Sequence, residues 1–132
     1  MQTISCKNLE DYKVLVKEIS KEINPGDIIF LSGEIGAGKT TFVQLFGEVI
    51  GIKEPITSPT FNIIKTYEGK ICHVDGYRLS GEEIELDYYL NGEYFVFIEW
   101  NDCLDNYLTP TIEIDIKYQE IGREITIKRN GA

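Results

Sequence analysis

Eight consecutive residues carry the most legible chemistry in this chain: Gly33-Glu34-Ile35-Gly36-Ala37-Gly38-Lys39-Thr40 fits the spacing G-x-x-x-x-G-K-[ST]. A loop of this pattern wraps phosphates. Glycines at 33, 36 and 38 admit backbone conformations closed to residues with a Cβ, so that successive amide N–H groups can converge on anionic oxygens. A helix opening near Lys39 would add unsatisfied amides and the positive end of its dipole. Lys39 would then reach the β and γ phosphates of a nucleotide, and the Thr40 hydroxyl would ligate magnesium. The expected ligand is a nucleoside triphosphate with Mg2+.

Such a site needs a second acid near the metal, usually at the end of a neighbouring apolar strand. Glu99 closes the run Tyr94-Phe95-Val96-Phe97-Ile98-Glu99 and is followed by Trp100, which would shield the site or pack. At the carboxyl edge of a sheet Glu99 would hold magnesium through water or orient the attacking water, with Asp102 a nearby competitor. A second dense cluster is His73-Val74-Asp75-Gly76-Tyr77-Arg78-Leu79. His73 and Asp75 share one face of an extended chain, and Gly76 permits a bend after them. Asp75 would act on metal or water, and Arg78 on a phosphate or a carboxylate. A structural assignment, with His73 bonded to a carbonyl and Arg78 to a surface acid, fits the same spacing. In Thr57-Ser58-Pro59-Thr60, hydroxyls beside a rigid proline would report the γ-phosphate as switch segments do, although an ordinary polar loop has the same composition.

These groups require particular elements around them. A short strand is expected over residues 2–6, then a helix from Leu9 to Ile23 with Asn8 as N-cap and Asp11 at the N3 position. Tyr12, Leu15, Val16, Ile19 and Ile23 recur at helical spacing, and Pro25-Gly26 ends the pattern. Residues 27–32 read as the strand feeding the phosphate loop, and 38–50 as the helix leaving it, with Gly51 at its C′ position. Prolines 55 and 59 make 53–61 irregular. Strands over 61–67 and 70–74 follow, joined by a tight turn at Glu68-Gly69. Then come a short acidic helix over 80–90, in which Tyr88 and Tyr89 pack rather than stack a base, and a buried strand over 94–100. Strict alternation over 111–117 and 124–128 gives a hairpin with one wet face. The fold class expected is α/β: one P-loop NTPase-like domain spanning residues 1–132, a mixed sheet with parallel core strands and antiparallel hairpin additions, and helices on both faces.

Composition narrows the function further. The 132 residues carry a formal charge of −9, and the basic ones are scattered, which argues against an unaided grip on nucleic acid. The acidity serves solubility or a docking surface for a more basic protein. No apolar stretch approaches the length of a membrane span, and the first residues lack the pattern of a secretion signal, so a cytoplasmic protein is expected. Cys6, Cys72 and Cys103 form no C-x-x-C pair and read as reduced thiols. His73 is the only histidine, which removes any multi-histidine metal centre.

The order of the motifs, from Gly33–Phe42 through Ser58-Pro59-Thr60-Phe61, His73–Leu79 and Ile98-Glu99-Trp100 to Gly122-Arg123-Glu124, closely resembles the TsaE family over nearly the whole chain. The resemblance implies an ATPase of tRNA threonylcarbamoyladenosine synthesis that works with TsaD and TsaB on adenosine 37, meeting tRNA only through those partners. It also implies that Lys39 and Thr40 bind phosphate and Mg2+ with Thr41 beside them. Ser58 to Phe61 match the family's switch-like loop, Asp75 its essential acid, and Glu99 with Trp100 its acidic strand end beside the nucleotide. Gly76 and Asn101 depart from the family's usual larger apolar residue and proline. The alternative is a small-molecule P-loop kinase, which needs an acceptor pocket and a cationic lid. Arg78, Arg123 and Arg129 are the only arginines, and no arginine-rich segment is present. A GTPase would carry N-K-x-D, which is absent.

Overall fold

The computed structural model describes residues 1–34, 36–57, 63–76, 83–99 and 108–130. Within them the order is β1 (Gln2–Cys6), α1 (Leu9–Ser20), β2 (Ile28–Gly33), α2 (Lys39–Ile50), β3 (Ile64–Tyr67), β4 (Ile71–Asp75), α3 (Glu83–Tyr89), β5 (Phe95–Glu99), β6 (Ile112–Tyr118) and β7 (Arg123–Arg129). The strands form one sheet in the order β1-β7-β6-β2-β5-β4-β3. Its centre is parallel, β6 with β2, β2 with β5 and β5 with β4, and β3, β7 and β1 add antiparallel. The mixed sheet expected from the alternating and fully apolar runs is therefore present.

Parallel pairing matters because it sets all the carboxyl ends of the central strands at one edge. Leu31 and Asp75 both lie in register with Glu99, so the end of β2, the end of β4 and the end of β5 are neighbours. The phosphate loop leaves β2 just beyond that point.

Each face of the sheet carries helices. On one side Tyr12, Val16 and Ile19 of α1 and Phe42, Val43 and Phe46 of α2 pack over Leu31, Phe97, Ile114, Ile116 and Ile125. Tilted aromatic contacts link Tyr12 to Phe42 at 6.3 Å, Phe42 to Phe97 at 6.1 Å and Phe46 to Phe97 at 5.0 Å, tying both helices to β5. On the other side Leu86 of α3 covers Phe30, Cys72, Val74, Val96 and Ile98. Tyr89 packs with Tyr94 there, while Tyr88 is mostly exposed.

Capping explains where the helices begin and end. The Asn8 side chain accepts the Asp11 amide at 2.9 Å, satisfying one donor of the first turn, and the Asp11 carboxylate accepts the amide of Lys7, the residue before the cap, at 2.9 Å. α1 stops at Ser20, three residues short of the expected Ile23. Lys21, Glu22 and Ile23 each bond back three residues instead of four, because Pro25 pushes Asn24 away from helical geometry and the last turn tightens. Ile23 is buried all the same. α2 ends as expected on Gly51, whose φ is +86°. The tight turn expected at Glu68-Gly69 is present, with φ of +50° and +66° there, and the connection between the paired Tyr67 and Ile71 is three residues long. Amides of Glu54 and Lys53 donate to the Glu68 carboxylate and hold it below the usual carboxyl range.

Two glycines separate conformational strain from steric exclusion. A Cβ on Gly51 would meet open space, so Gly51→Ala is expected to cost about 1 kcal/mol from the left-handed backbone alone. A Cβ on Gly33 would lie 2.3 Å from the Ile116 carbonyl oxygen on the neighbouring strand. Gly33→Ala should therefore cost more, about 2–4 kcal/mol, and urea denaturation of the two variants should rank them in that order.

Candidate functional site

The phosphate loop is built by left-handed glycines and held by side chains that consume its carbonyl oxygens. Gly33, Gly36 and Gly38 have φ of +142°, +79° and +124°. From inside, the Lys39 ammonium donates to the carbonyls of Gly33 at 2.6 Å and Glu34 at 3.0 Å. From outside, Arg123 Nε donates to the Ala37 carbonyl at 2.9 Å and the Tyr12 hydroxyl donates to that of Gly38 at 2.7 Å. The Arg123 guanidinium also lies 4.3 Å from the centre of the Tyr118 ring, which fixes its direction. With its carbonyls engaged, the loop closes round its own concave side. Lys39 is 5% exposed. Burial pulls its ammonium below the usual value, and the neighbouring Glu99 carboxylate opposes that shift.

Two acids stand at the adjacent strand ends. Glu99 is 4% exposed, and its Oε2 accepts the Thr40 hydroxyl at 3.1 Å. His73 Nε2 contacts the same oxygen. Asp75, the last residue of β4, lies in register beside Glu99, and its amide donates to Ile63 at 2.8 Å. The site therefore brings Lys39, Thr40, Glu99, His73 and Asp75 to one edge of the sheet. The alternative for His73, a bond to a carbonyl, is not what the fold makes: its partner is the Glu99 carboxylate.

Other residues singled out by sequence fall in different places. Gly33, Glu34, Gly36, Ala37 and Gly38 form the loop, and Thr41 opens α2 behind it. Ile35, Ser58, Thr60, Trp100, Arg78 and Asp102 lie outside the described residues. The root of the switch-like segment is described. Gln44 donates to the Ile56 carbonyl at 2.7 Å, and the Tyr67 hydroxyl bonds both the amide and the carbonyl of Thr57.

Beside the loop lies a cavity of about 380 Å3, lined by Lys7, Tyr12, Gly36, Gly38, Thr41 and Arg123 among others. Its size is that of a small-molecule site. Tyr12 and Arg123 were legible only as a core position and the end of a motif. Their bonds to the loop span 26 and 86 residues of sequence, a distance at which local spacing gives no signal.

A G-x-x-x-x-G-K-[ST] loop after the first parallel strand, a helix at its end and an acid on the adjacent strand define an α/β protein of the P-loop NTPase-like fold class. The family described as threonylcarbamoyl adenosine biosynthesis protein TsaE matches residues 6–128. The chain is 36% identical to the tRNA threonylcarbamoyladenosine biosynthesis protein TsaE of Bacillus subtilis (strain 168), over 94% of this chain and 83% of that one. It is 40% identical to the TsaE of Rickettsia felis, over 89% of this chain and 74% of that one. The crystal structure of YdiB from B. subtilis superposes with a TM-score of 0.75 at 32% identity, covering 98% of this chain and 86% of the other. This protein belongs to the TsaE family. Among its described residues no helix is long and apolar enough to cross a membrane.

The clasp on the loop is testable without any ligand. Tyr12→Phe removes a single donor and leaves the ring in place, so chemical denaturation should show a loss of about 1 kcal/mol. An unchanged midpoint would show that the Gly38 carbonyl does not depend on it.

Proposed function

We propose that this chain binds Mg·ATP in the phosphate loop and hydrolyses it in the cytoplasm, in support of threonylcarbamoyl transfer to adenosine 37 of tRNA by TsaD and TsaB. The observation that carries the reading is the convergence of Lys39, Thr40 and Glu99, with the Thr40 hydroxyl 3.1 Å from the Glu99 carboxylate. A hydroxyl and a carboxylate are oxygen donors of the kind Mg2+ takes, and Glu99 Oε1 has no hydrogen-bond partner among the described residues. The glycines supply the second fit: a Cβ on Gly33 or Gly36 would come within 3.0 Å of Ile116 or Tyr118, so the cradle is closed to side chains.

In this reading the loop amides and Lys39 bind the phosphates, and Thr40 with Glu99 holds the metal. Lys39 exchanges its bonds to the Gly33 and Glu34 carbonyls for phosphate oxygens. When bound, Mg2+ supplies charge neutralisation between the β and γ phosphates. Asp75, one strand over from Glu99, orients the attacking water. Base and ribose occupy the cavity between Tyr12, Thr41 and Arg123. The segment that begins at Thr57 responds to the γ-phosphate through the hydroxyls of Ser58 and Thr60, and Trp100 is counted with Glu99 among the residues that serve the nucleotide.

Charge supports a protein partner and an indirect role toward RNA. Residues 79–116 contain ten Asp and Glu and no Lys or Arg, so the basic residues are scattered only outside this stretch. A stretch of that charge disfavours a phosphate backbone and suits a basic protein partner.

Calorimetry and phosphate release, measured with and without TsaD and TsaB, test the reading. Lys39→Ala should lose Mg·ATP binding, whereas Glu99→Ala and Asp75→Ala should retain nucleotide binding and lose turnover by about 100-fold or more. Turnover retained in both acid variants would refute the roles given to Glu99 and Asp75. A properly folded wild type that takes up no Mg·ATP would refute the function itself.

A further inference from the structure

His73 sits where a packing residue would be expected. It lies in the middle of β4, a strand whose first four residues are all buried, and it is flanked in register by Lys65 and Phe97. Its side chain is fully buried. Nε2 reaches diagonally to Glu99 Oε2, while Nδ1 is buried with no hydrogen-bond partner. A buried polar atom left unmatched is a cost that leucine or methionine would not carry at this position. Stability alone therefore does not account for the imidazole.

The geometry also fixes which nitrogen bears the proton. Nε2 faces a carboxylate oxygen and must donate to it, and a proton on Nδ1 would be a buried donor with nothing to receive it. The Nε2–H tautomer meets both conditions. Thr40 and His73 both donate to Oε2, from α2 and from β4, so rotation of the carboxylate is stopped from two sides, and among the described residues Oε1 is the oxygen without a partner.

We infer that His73 is a positioning residue for the metal side of the phosphate site: its Nε2–H pins one oxygen of Glu99 so that the other stays presented to the cation. The inference rests on the nucleotide reading given above and adds to it a residue that touches neither phosphate nor metal. Without the imidazole, Glu99 loses a restraint and is free to turn toward the Lys39 ammonium, a buried pairing that withdraws it from the metal. A hydrogen-bonded partner behind a metal-binding carboxylate commonly governs affinity to this extent.

The test uses the full chain, with Mn2+ as the metal probe followed by the loss of its free-ion paramagnetic resonance signal, and a fluorescent ADP for nucleotide affinity. His73→Leu should weaken Mn2+ affinity in the presence of saturating ADP by about 10- to 100-fold, while ADP affinity in EDTA stays within about threefold. His73→Gln places an amide N–H near the position of the lost Nε2–H and should recover Mn2+ affinity to within about threefold of wild type. In a Glu99→Ala background, His73→Leu should change Mn2+ affinity no further. If His73→Leu does not fold, His73→Met takes its place in each comparison. Wild-type Mn2+ affinity in the apolar variant, or a glutamine variant as defective as the apolar one, would overturn the inference while ADP binding in EDTA leaves the nucleotide site standing. A wild type that binds no ADP at all would overturn both.

Discussion

A carboxylate that is 4% exposed survives in a protein interior only when donors reach it, and the donors of Glu99 come from two different elements. Thr40 approaches from the first turn of α2 and His73 from β4, while Glu99 itself ends β5. One buried charge thereby joins the helix that leaves the phosphate loop to the two strands beside it. Parallel pairing of β2, β5 and β4 is the precondition, because it alone sets these ends side by side. A cluster of this kind suits a site that must accept a polyanion and a cation together, since Lys39 and Glu99 balance one another before either meets a ligand.

The loop shows the complementary arrangement. Its carbonyl oxygens are taken by Lys39 on one side and by Arg123 and Tyr12 on the other. Arg123 and Tyr12 draw the Ala37 and Gly38 carbonyls outward, while Lys39 takes those of Gly33 and Glu34 from within and the Ala37 amide bonds back to Glu34. The shape is thus enforced from outside by β7 and α1 as much as by the glycines within it.

Local chemistry made much of this legible in sequence. Spacing alone located the loop, period-2 alternation located β6 and β7, and Asn8 and Gly51 marked helix ends that the fold keeps. Glu99 was placed at a strand end by the apolar run before it. What spacing did not reveal is non-local. Tyr12 has the periodicity of a core residue and packs as one, yet its hydroxyl serves the loop. Arg123 carries no local signal for a bond to Ala37. The contact between His73 and Glu99 depends on β4 lying next to β5, which no period announces. The pairing of β1 with β7 is likewise set by sheet closure, since alternation says that a strand has a partner but not which one.

The order of strands has a consequence for how the molecule is made. β6 and β7 are made after β1 and β2 yet lie in the sheet between them. Until residues 112–116 emerge β2 lacks its partner on one flank, and until residues 123–127 emerge β1 has no strand to join. Nascent chains therefore expose unpaired strand edges until these segments emerge, and the Ala37 carbonyl waits for Arg123. Interruption of translation before that point would release an adhesive fragment with an unclasped loop, a reason for protein quality control to meet this chain early.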